Sequence, residues 1–388
     1  MSQNQNETVR NSRKPNAERG TLPAPSSRSY PAAFRFPHSA FTLTELLVVI
    51  SIIAILATLI TGAAVNALNR AKQASITLEI QQLASAIEDF KNKNGAYPPN
   101  VFANATLSNN PEKNANAQTL LRFMKKVSQR STEFQINLTG STPARNSTAA
   151  SDNLYPIIDV GLSPAEALVF WLQGFSQDVT RPLTGTDLEL TSIDDNGTTV
   201  NNVITIDSFE PLYEFDRGRL RISRFPDGRR RYLTVQRLTA PFEVYIQLYE
   251  YLAPNSEEPF VYFDTSRETP EQVVNNWATT EFFYASPTSG GNIFPLKKMR
   301  ANAPSTLPTN KLQFVEYVNP DKFQVLHCGL DDAWGDFSAS TGAGGQLDVS
   351  ATNGNFIPNL LFPTGPFIGD IADTVGNFGT GTLEDAQQ

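Results

Sequence analysis

The sequence predicts an α+β protein, with a long N-terminal membrane-spanning helix packed on an antiparallel β-sheet head. Three observations carry this. Leu46 to Asn69 contains no charged side chain, and Ile76, Ile80, Leu83, Ile87 and Phe90 then recur at steps of four and three. Strand-like runs appear only later, at Leu220–Ile222, Tyr232–Val235, Phe242–Tyr251, Phe260–Phe263 and Phe323–Leu326. The first pattern is that of a helix in lipid, the second of a helix with one buried stripe, and the third of short strands in a sheet.

Residues 1–40 come first and differ from the rest. They hold six basic residues (Arg10, Arg13, Lys14, Arg19, Arg28, Arg35) against Glu7 and Glu18, and they are rich in Asn, Ser and Pro. No apolar period runs through them, so they are expected to lack regular structure. The whole 388-residue chain has a net charge of −8, so removing this +4 segment leaves −12 for the remainder. The uncharged stretch that follows is longer than the roughly 20 residues a helix needs to cross a bilayer. Basic residues before it and an acidic bulk after it place the N-terminus in the cytoplasm and the head outside.

A secretory signal peptide would have a shorter apolar core, about 7–15 residues, before its small-residue cleavage site. Gly62-Ala63-Ala64 supplies small residues, but the run is too long. A plain anchor does not account for Glu45, because an unpaired carboxylate at the start of a membrane helix is costly. The stretch Ala40-Phe41-Thr42-Leu43-Thr44-Glu45-Leu46-Leu47-Val48-Val49-Ile50 resembles the processing segment of type IV pilins and type II secretion pseudopilins. The resemblance implies that a prepilin peptidase cuts between Ala40 and Phe41 and methylates the new N-terminus. Gly stands at the position of Ala40 in the family, and Ala is its smallest substitute. It further implies that Glu45 pairs with the Phe41 amine of a neighbouring subunit and so fixes register within a filament. A buried carboxylate suits that task, because either charge left alone in a low dielectric is expensive.

The helix is expected to continue past the membrane to about Lys93, where Asn94-Gly95 supplies a stop and Pro98-Pro99 prevents continuation. The implied organisation is a cleaved cytoplasmic leader (1–40), a pilin-type helix (41–95, of which 41–69 are transmembrane) and an extracytoplasmic head (96–388). Asn94-Gly95-Ala96-Tyr97-Pro98 again resembles the turn after the long helix of pseudopilins. Residues 100–118 and 139–153 are rich in Asn, Ser and Thr and read as loops, with Leu120–Met124 as one short helix between them. Ser163-Pro164-Ala165-Glu166 is a capping box opening a helix through Leu172, closed by Gly174. Asp227-Gly228 predicts a hairpin between the first two strands. Against a minimal pseudopilin, the head carries a large insertion.

Near the C-terminus, Asn319–Val325, Gly329–Asp332 and Gly369–Thr374 resemble the final strand and loop of the major type II secretion pseudopilin. That loop binds Ca2+ in the family. The residues at the matching positions are the Leu330 carbonyl, Asp331, Asp332, Asp336, Asp370 and Asp373, with the 33 residues Phe337–Gly369 between the two groups. Ca2+ takes six to eight oxygen ligands, which closely spaced Asp on Gly-rich loops can supply. Solvated turn carboxylates would give the same pattern.

Other chemistry has little support. One Cys and two His rule out an intrachain disulfide framework and a thiolate-rich zinc site. His327 and Cys328 are neighbours on an expected strand, which would point them to opposite faces. Arg217, Arg219, Arg221, Arg224, Arg229, Arg230, Arg231 and Arg237 form a basic stretch with few aromatic residues, which reads as a charged edge hairpin or a subunit contact. No nucleic-acid partner and no enzymatic activity are expected. The expected function is a pseudopilin: a structural subunit of a type II secretion or pilus-like filament in the bacterial inner membrane, with its head in the periplasm. Its expected partners are prepilin peptidase, other subunits, the assembly platform and the membrane. The alternative is a surface adhesion protein or minor tip subunit on the same type of stalk.

Overall fold

In the computed structural model, α1 runs unbroken from Leu43 to Asn94, 52 residues, as the apolar run and the later stripe together require. The structure describes residues 42–100, 162–185, 190–195, 197–205, 210–224, 228–236, 243–266, 284–288, 292–303, 314–335, 361–365 and 367–387, with Phe123, Lys126, Val127, Arg130 and Ser131. Ala40, Phe41, Arg237 and Asp336 lie outside the described residues, as do the loops expected at 139–153 and nearly all of 100–118.

The chain divides into two units, Met1–Thr61 and Gly62–Gln388. In the first, Leu46, Leu47, Val48, Val49, Ile50, Ile52, Ile53, Ile55, Leu56, Leu59 and Ile60 are all exposed. Among the described residues, α1 is the one helix long and apolar enough to cross a membrane. Its hydroxyls are satisfied within the helix: Ser51 donates to the Leu47 carbonyl, Thr58 to Ile55 and Thr61 to Ala57. Such back-bonding removes the cost of hydroxyls in an apolar surrounding.

In the second unit, α1 buries Ile76, Glu79, Ile80, Leu83, Ala86, Ile87 and Phe90. Burying each large apolar side chain contributes about 1.5–3 kcal/mol. Phe90 meets Trp171 edge-on at 5.9 Å, and Trp171 lies on α2 (Pro164–Leu172). The predicted capping box opens α2: Ser163 accepts from the Glu166 amide at 3.2 Å, and Glu166 accepts from the Ser163 amide at 2.8 Å. Every residue of α2 is buried. Gly174 closes it at φ +87°, where a Cβ would lie 1.7 Å from the Glu210 carbonyl oxygen.

The strands in chain order are β1 Thr191–Asp195, β2 Thr198–Ile204, β3 Leu220–Ile222, β4 Tyr232–Gln236, β5 Glu243–Gln247, β6 Tyr249–Tyr251 and β7 Val261–Asp264. Then follow β8 Tyr284–Ala285, β9 Asn292–Ile293, β10 Lys297–Met299, β11 Val315–Tyr317, β12 Phe323–His327 and β13 Val375–Gly376; α3, Leu383–Ala386, lies beyond them. One sheet has the order β1-β2-β5-β4 and another β13-β12-β7, beside the two-stranded pairs β3-β6, β8-β9 and β10-β11. Among the described strands, pairing is antiparallel except between β2 and β5, and a single parallel bridge joins Lys297 to Leu361. The fold class is therefore α+β with antiparallel-rich sheets, as expected.

Two sequence expectations are corrected. The run Phe242–Tyr251 is two strands in different sheets: at Leu248 the chain leaves β4 (Tyr232↔Gln247) and joins β3 (Ile222↔Tyr249). Residues 220–235 likewise do not form a two-stranded hairpin, because β3 pairs with β6 and β4 with β5. Among the described residues, an Arg224↔Arg230 bridge and the Arg231 amide bonding the Ser223 carbonyl at 2.9 Å join the two arms. Gly228, at φ +88°, makes the turn possible.

Candidate functional site

At the start of α1, Thr42 and Glu45 cap the helix reciprocally. The Thr42 amide and hydroxyl both donate to Glu45 Oε2 at 2.8 Å, and the Glu45 amide donates to Thr42 Oγ1 at 3.2 Å. This is a capping box, satisfying helix-end donors that otherwise lack partners. The carboxylate therefore has a partner within its own chain. The Thr-x-x-Glu spacing was visible in the sequence, and Thr42 is the residue that attention to Glu45 alone overlooks.

The second candidate site joins two loops. Gly329, at φ +105°, lies so close to Asp373 that a Cβ would sit 2.2 Å from its carbonyl oxygen, and Gly335 faces the Ile371 side chain and the Asp370 Cβ. The loop carrying Asp331 and Asp332 thus touches the turn carrying Asp370 and Asp373 despite the intervening stretch. Burial raises the proton affinity of the Asp331 carboxyl, and the Asp373 and Asp370 charges add to it, while the Ala333 amide opposes the rise. Trp334 anchors the first loop: its indole is buried and donates to Glu258 Oε2 at 3.0 Å. The second is held by α3, where the Glu384 amide bonds the Ala372 carbonyl at 3.0 Å and the Leu383 amide bonds that of Thr374 at 2.9 Å. Thr374, next to Asp373, has a buried hydroxyl with no hydrogen-bond partner among the described residues. Three neighbouring carboxylates and an unsatisfied hydroxyl are hard oxygen donors of the kind Ca2+ takes.

His327, Cys328 and Asp332 bring their ligand atoms within 4.8 Å of one another. Strand alternation fails here because β12 ends at His327, and Cys328 Sγ lies 3.9 Å from both ring nitrogens. Within it, His327 is satisfied by protein groups. Nδ1 accepts from the Gly329 amide at 3.0 Å, which assigns the proton to Nε2, 3.2 Å from the Glu258 carbonyl. Burial pushes His327 down to about 4 and pushes the Cys328 thiol up. A neutral imidazole beside a protonated thiol is not a nucleophile pair. Unfolded, this His titrates near 6.5. As pH falls from 6.5 towards 4.5 the unfolded chain takes a proton that the folded chain refuses, so the contribution present at neutrality is lost, at about 2 kcal/mol. Urea midpoints at pH 7 and pH 4.5 should therefore differ more in the wild type than in His327→Gln; equal differences would contradict this.

The arginines do not form one outward face. Arg217–Arg219 is a turn of 3-10 helix rather than strand. Arg219 binds Glu79, Arg221 binds Glu250 at 2.7 Å, Arg231 binds Glu166 at 2.5 Å, and Arg224 and Arg230 lie 3.7 and 3.6 Å from Asp195. These cations are held by carboxylates of the head, and Arg224 among them is exposed.

Residues 35–61 match the family model described as the prokaryotic N-terminal methylation motif, the prepilin signature of type IV pilins and pseudopilins. No curated protein and no solved structure matches the chain.

Proposed function

We propose that the chain is a pseudopilin, a structural subunit of a type II secretion or related pilus-like filament. The observation that carries this is the methylation motif at residues 35–61 lying across the start of a helix whose apolar side chains from Leu43 to Leu68 are exposed. Exposed Leu, Ile and Val over that length need a cover, first the bilayer and then the same helices of other copies. Prepilin peptidase removes residues 1–40 between Ala40 and Phe41, the helix waits in the inner membrane with the head in the periplasm, and an assembly platform stacks subunits. Glu45, facing the Phe41 amine of a neighbour, sets register.

Cysteines placed singly at exposed Leu47 or Leu59 test assembly, because the native Cys328 is buried. Oxidised membranes should yield disulfide-linked dimers from either single cysteine, and a chain carrying both positions should yield a ladder of higher multimers. Monomers alone would contradict a filament and favour a membrane-anchored surface protein.

Ca2+ is proposed to bind between the two loops, held by Asp331, Asp332, Asp370, Asp373 and the Leu330 carbonyl, with Asp336 as a further ligand. The ion would neutralise carboxylates that otherwise repel one another. Chelation is expected to lower the melting temperature of the full chain in detergent by several degrees, and Asp331→Asn with Asp373→Asn should remove that response. A melting temperature indifferent to Ca2+ would remove the metal. The chain tested must retain α1, since Ile76 to Phe90 belong to the hydrophobic core of the head.

A further inference from the structure

Glu79 is a carboxylate buried on α1, where the periodicity calls for an apolar residue. It gathers four donors. Arg219 supplies two, Nη1 to Oε2 at 2.7 Å and Nη2 to Oε1; the Tyr251 hydroxyl supplies a third at 2.7 Å and the Tyr213 hydroxyl a fourth at 3.1 Å. The donors are themselves fixed. Arg219 Nη1 also reaches the Leu252 carbonyl at 3.2 Å, its guanidinium lies 4.5 Å over the Tyr251 ring, and Phe215 packs edge-on against Tyr251 and Tyr213 at 4.9 Å. Burial works against the Arg219 charge, but the Glu79 carboxylate outweighs it and holds the guanidinium protonated. Burial, with Glu79 adding, pushes Tyr213 up to about 12, so its hydroxyl remains a donor.

We propose that Glu79 is a positioning residue which fixes the direction in which the head faces around α1. Apolar packing along the stripe is non-directional and tolerates small rolls of a helix against its neighbours. A bidentate Arg–carboxylate pair braced by two phenols is directional, because its planar geometry is lost within a small rotation. The cluster also stands where direction matters. Ile76 is the first buried residue of α1, and Gly62 to Lys72 are exposed. Glu79, one turn further on, is thus, among the described residues, the polar tie to the head nearest the exposed part of the helix. An amide is a poor replacement, since the NH2 of Gln would face an Arg219 N–H at either oxygen's position. The consequence for assembly rests on the filament proposal: a head that rolls presents no single face to the next subunit.

Spin labels on cysteines at the exposed positions Gln82 and Ala285 read the head's direction in the full chain in detergent, the buried Cys328 remaining unlabelled. The native chain is expected to give one narrow distance distribution, and Glu79→Ala a broad one. Glu79→Gln should broaden it too, with amide exchange at Thr77–Leu83 rising about tenfold or more while the protein stays folded. Tyr213→Phe, which removes one donor of four, should lie between. If Glu79→Ala does not fold, Glu79→Gln and Tyr213→Phe decide. Unchanged distributions in the folded variants overturn the positioning role. Cross-linking of the native chain is scored separately, so an absent filament and an unbraced head give different results.

Discussion

Glu45→Ala is expected to abolish multimer formation while leaving the chain inserted, cleaved and folded. The substitution removes the carboxylate that would meet the Phe41 amine of a neighbour, and an amine left without a counter-charge among packed apolar helices is heavily penalised. Cross-linked multimers should fall to background, a loss of at least about tenfold. Glu45→Gln should fare little better, because it keeps the shape and loses the charge. Thr42→Ala separates the two roles of the carboxylate, since it removes the hydroxyl that donates to Glu45 at 2.8 Å and accepts from the Glu45 amide, without touching the charge or the Thr42 amide donor. It should weaken assembly only partly. Equal loss in Thr42→Ala and Glu45→Ala would mean that the helix cap, rather than an intersubunit pair, governs assembly.

The largest effect on the fold is expected at Glu166. Its side chain is fully buried, caps α2 through the Ser163 amide, and takes Arg231 Nε at 2.5 Å and Nη2 at 3.0 Å together with the Ser223 hydroxyl. Glu166→Ala removes all of these and takes the fully buried carboxylate away from a largely buried guanidinium, a change that costs about 3–5 kcal/mol. Glu166→Leu combined with Arg231→Leu should recover part of that loss, because neither member of the pair is left behind without the other. Urea denaturation of the full chain in detergent measures each. A loss below about 1 kcal/mol for Glu166→Ala would show that the pair is hydrated rather than structural.

These two residues mark what could be read from the chain and what could not. Glu166 as a cap was legible, because Ser-Pro-x-Glu is a local pattern; its bond to Arg231 was not, because the partner lies 65 positions away. The arginines between 217 and 237 look like a surface feature for the same reason. Their carboxylates, Glu79, Glu166, Glu250 and Asp195, come from four other parts of the chain, and composition carries no record of such pairings. The long helix was legible throughout, since a charge-free run and a 3.6-residue stripe are both local. Phe242–Tyr251 read as one strand because its apolar character is continuous, while the change of partner at Leu248 is a tertiary event. His327 and Cys328 defeated strand alternation because β12 ends between them. In the acidic loops each Asp group was visible, but their meeting depends on Gly329 letting the Asp373 backbone approach.

The central claim is that the segment at residues 35–61 is processed and methylated, and one measurement addresses it directly: the intact mass and N-terminal fragment spectrum of the protein purified from membranes of a cell that makes prepilin peptidase. The expected result is a chain lacking residues 1–40 and beginning at N-methylated Phe41. A chain beginning at Met1, or one cut near Ala64 as a secretory signal would be, contradicts it.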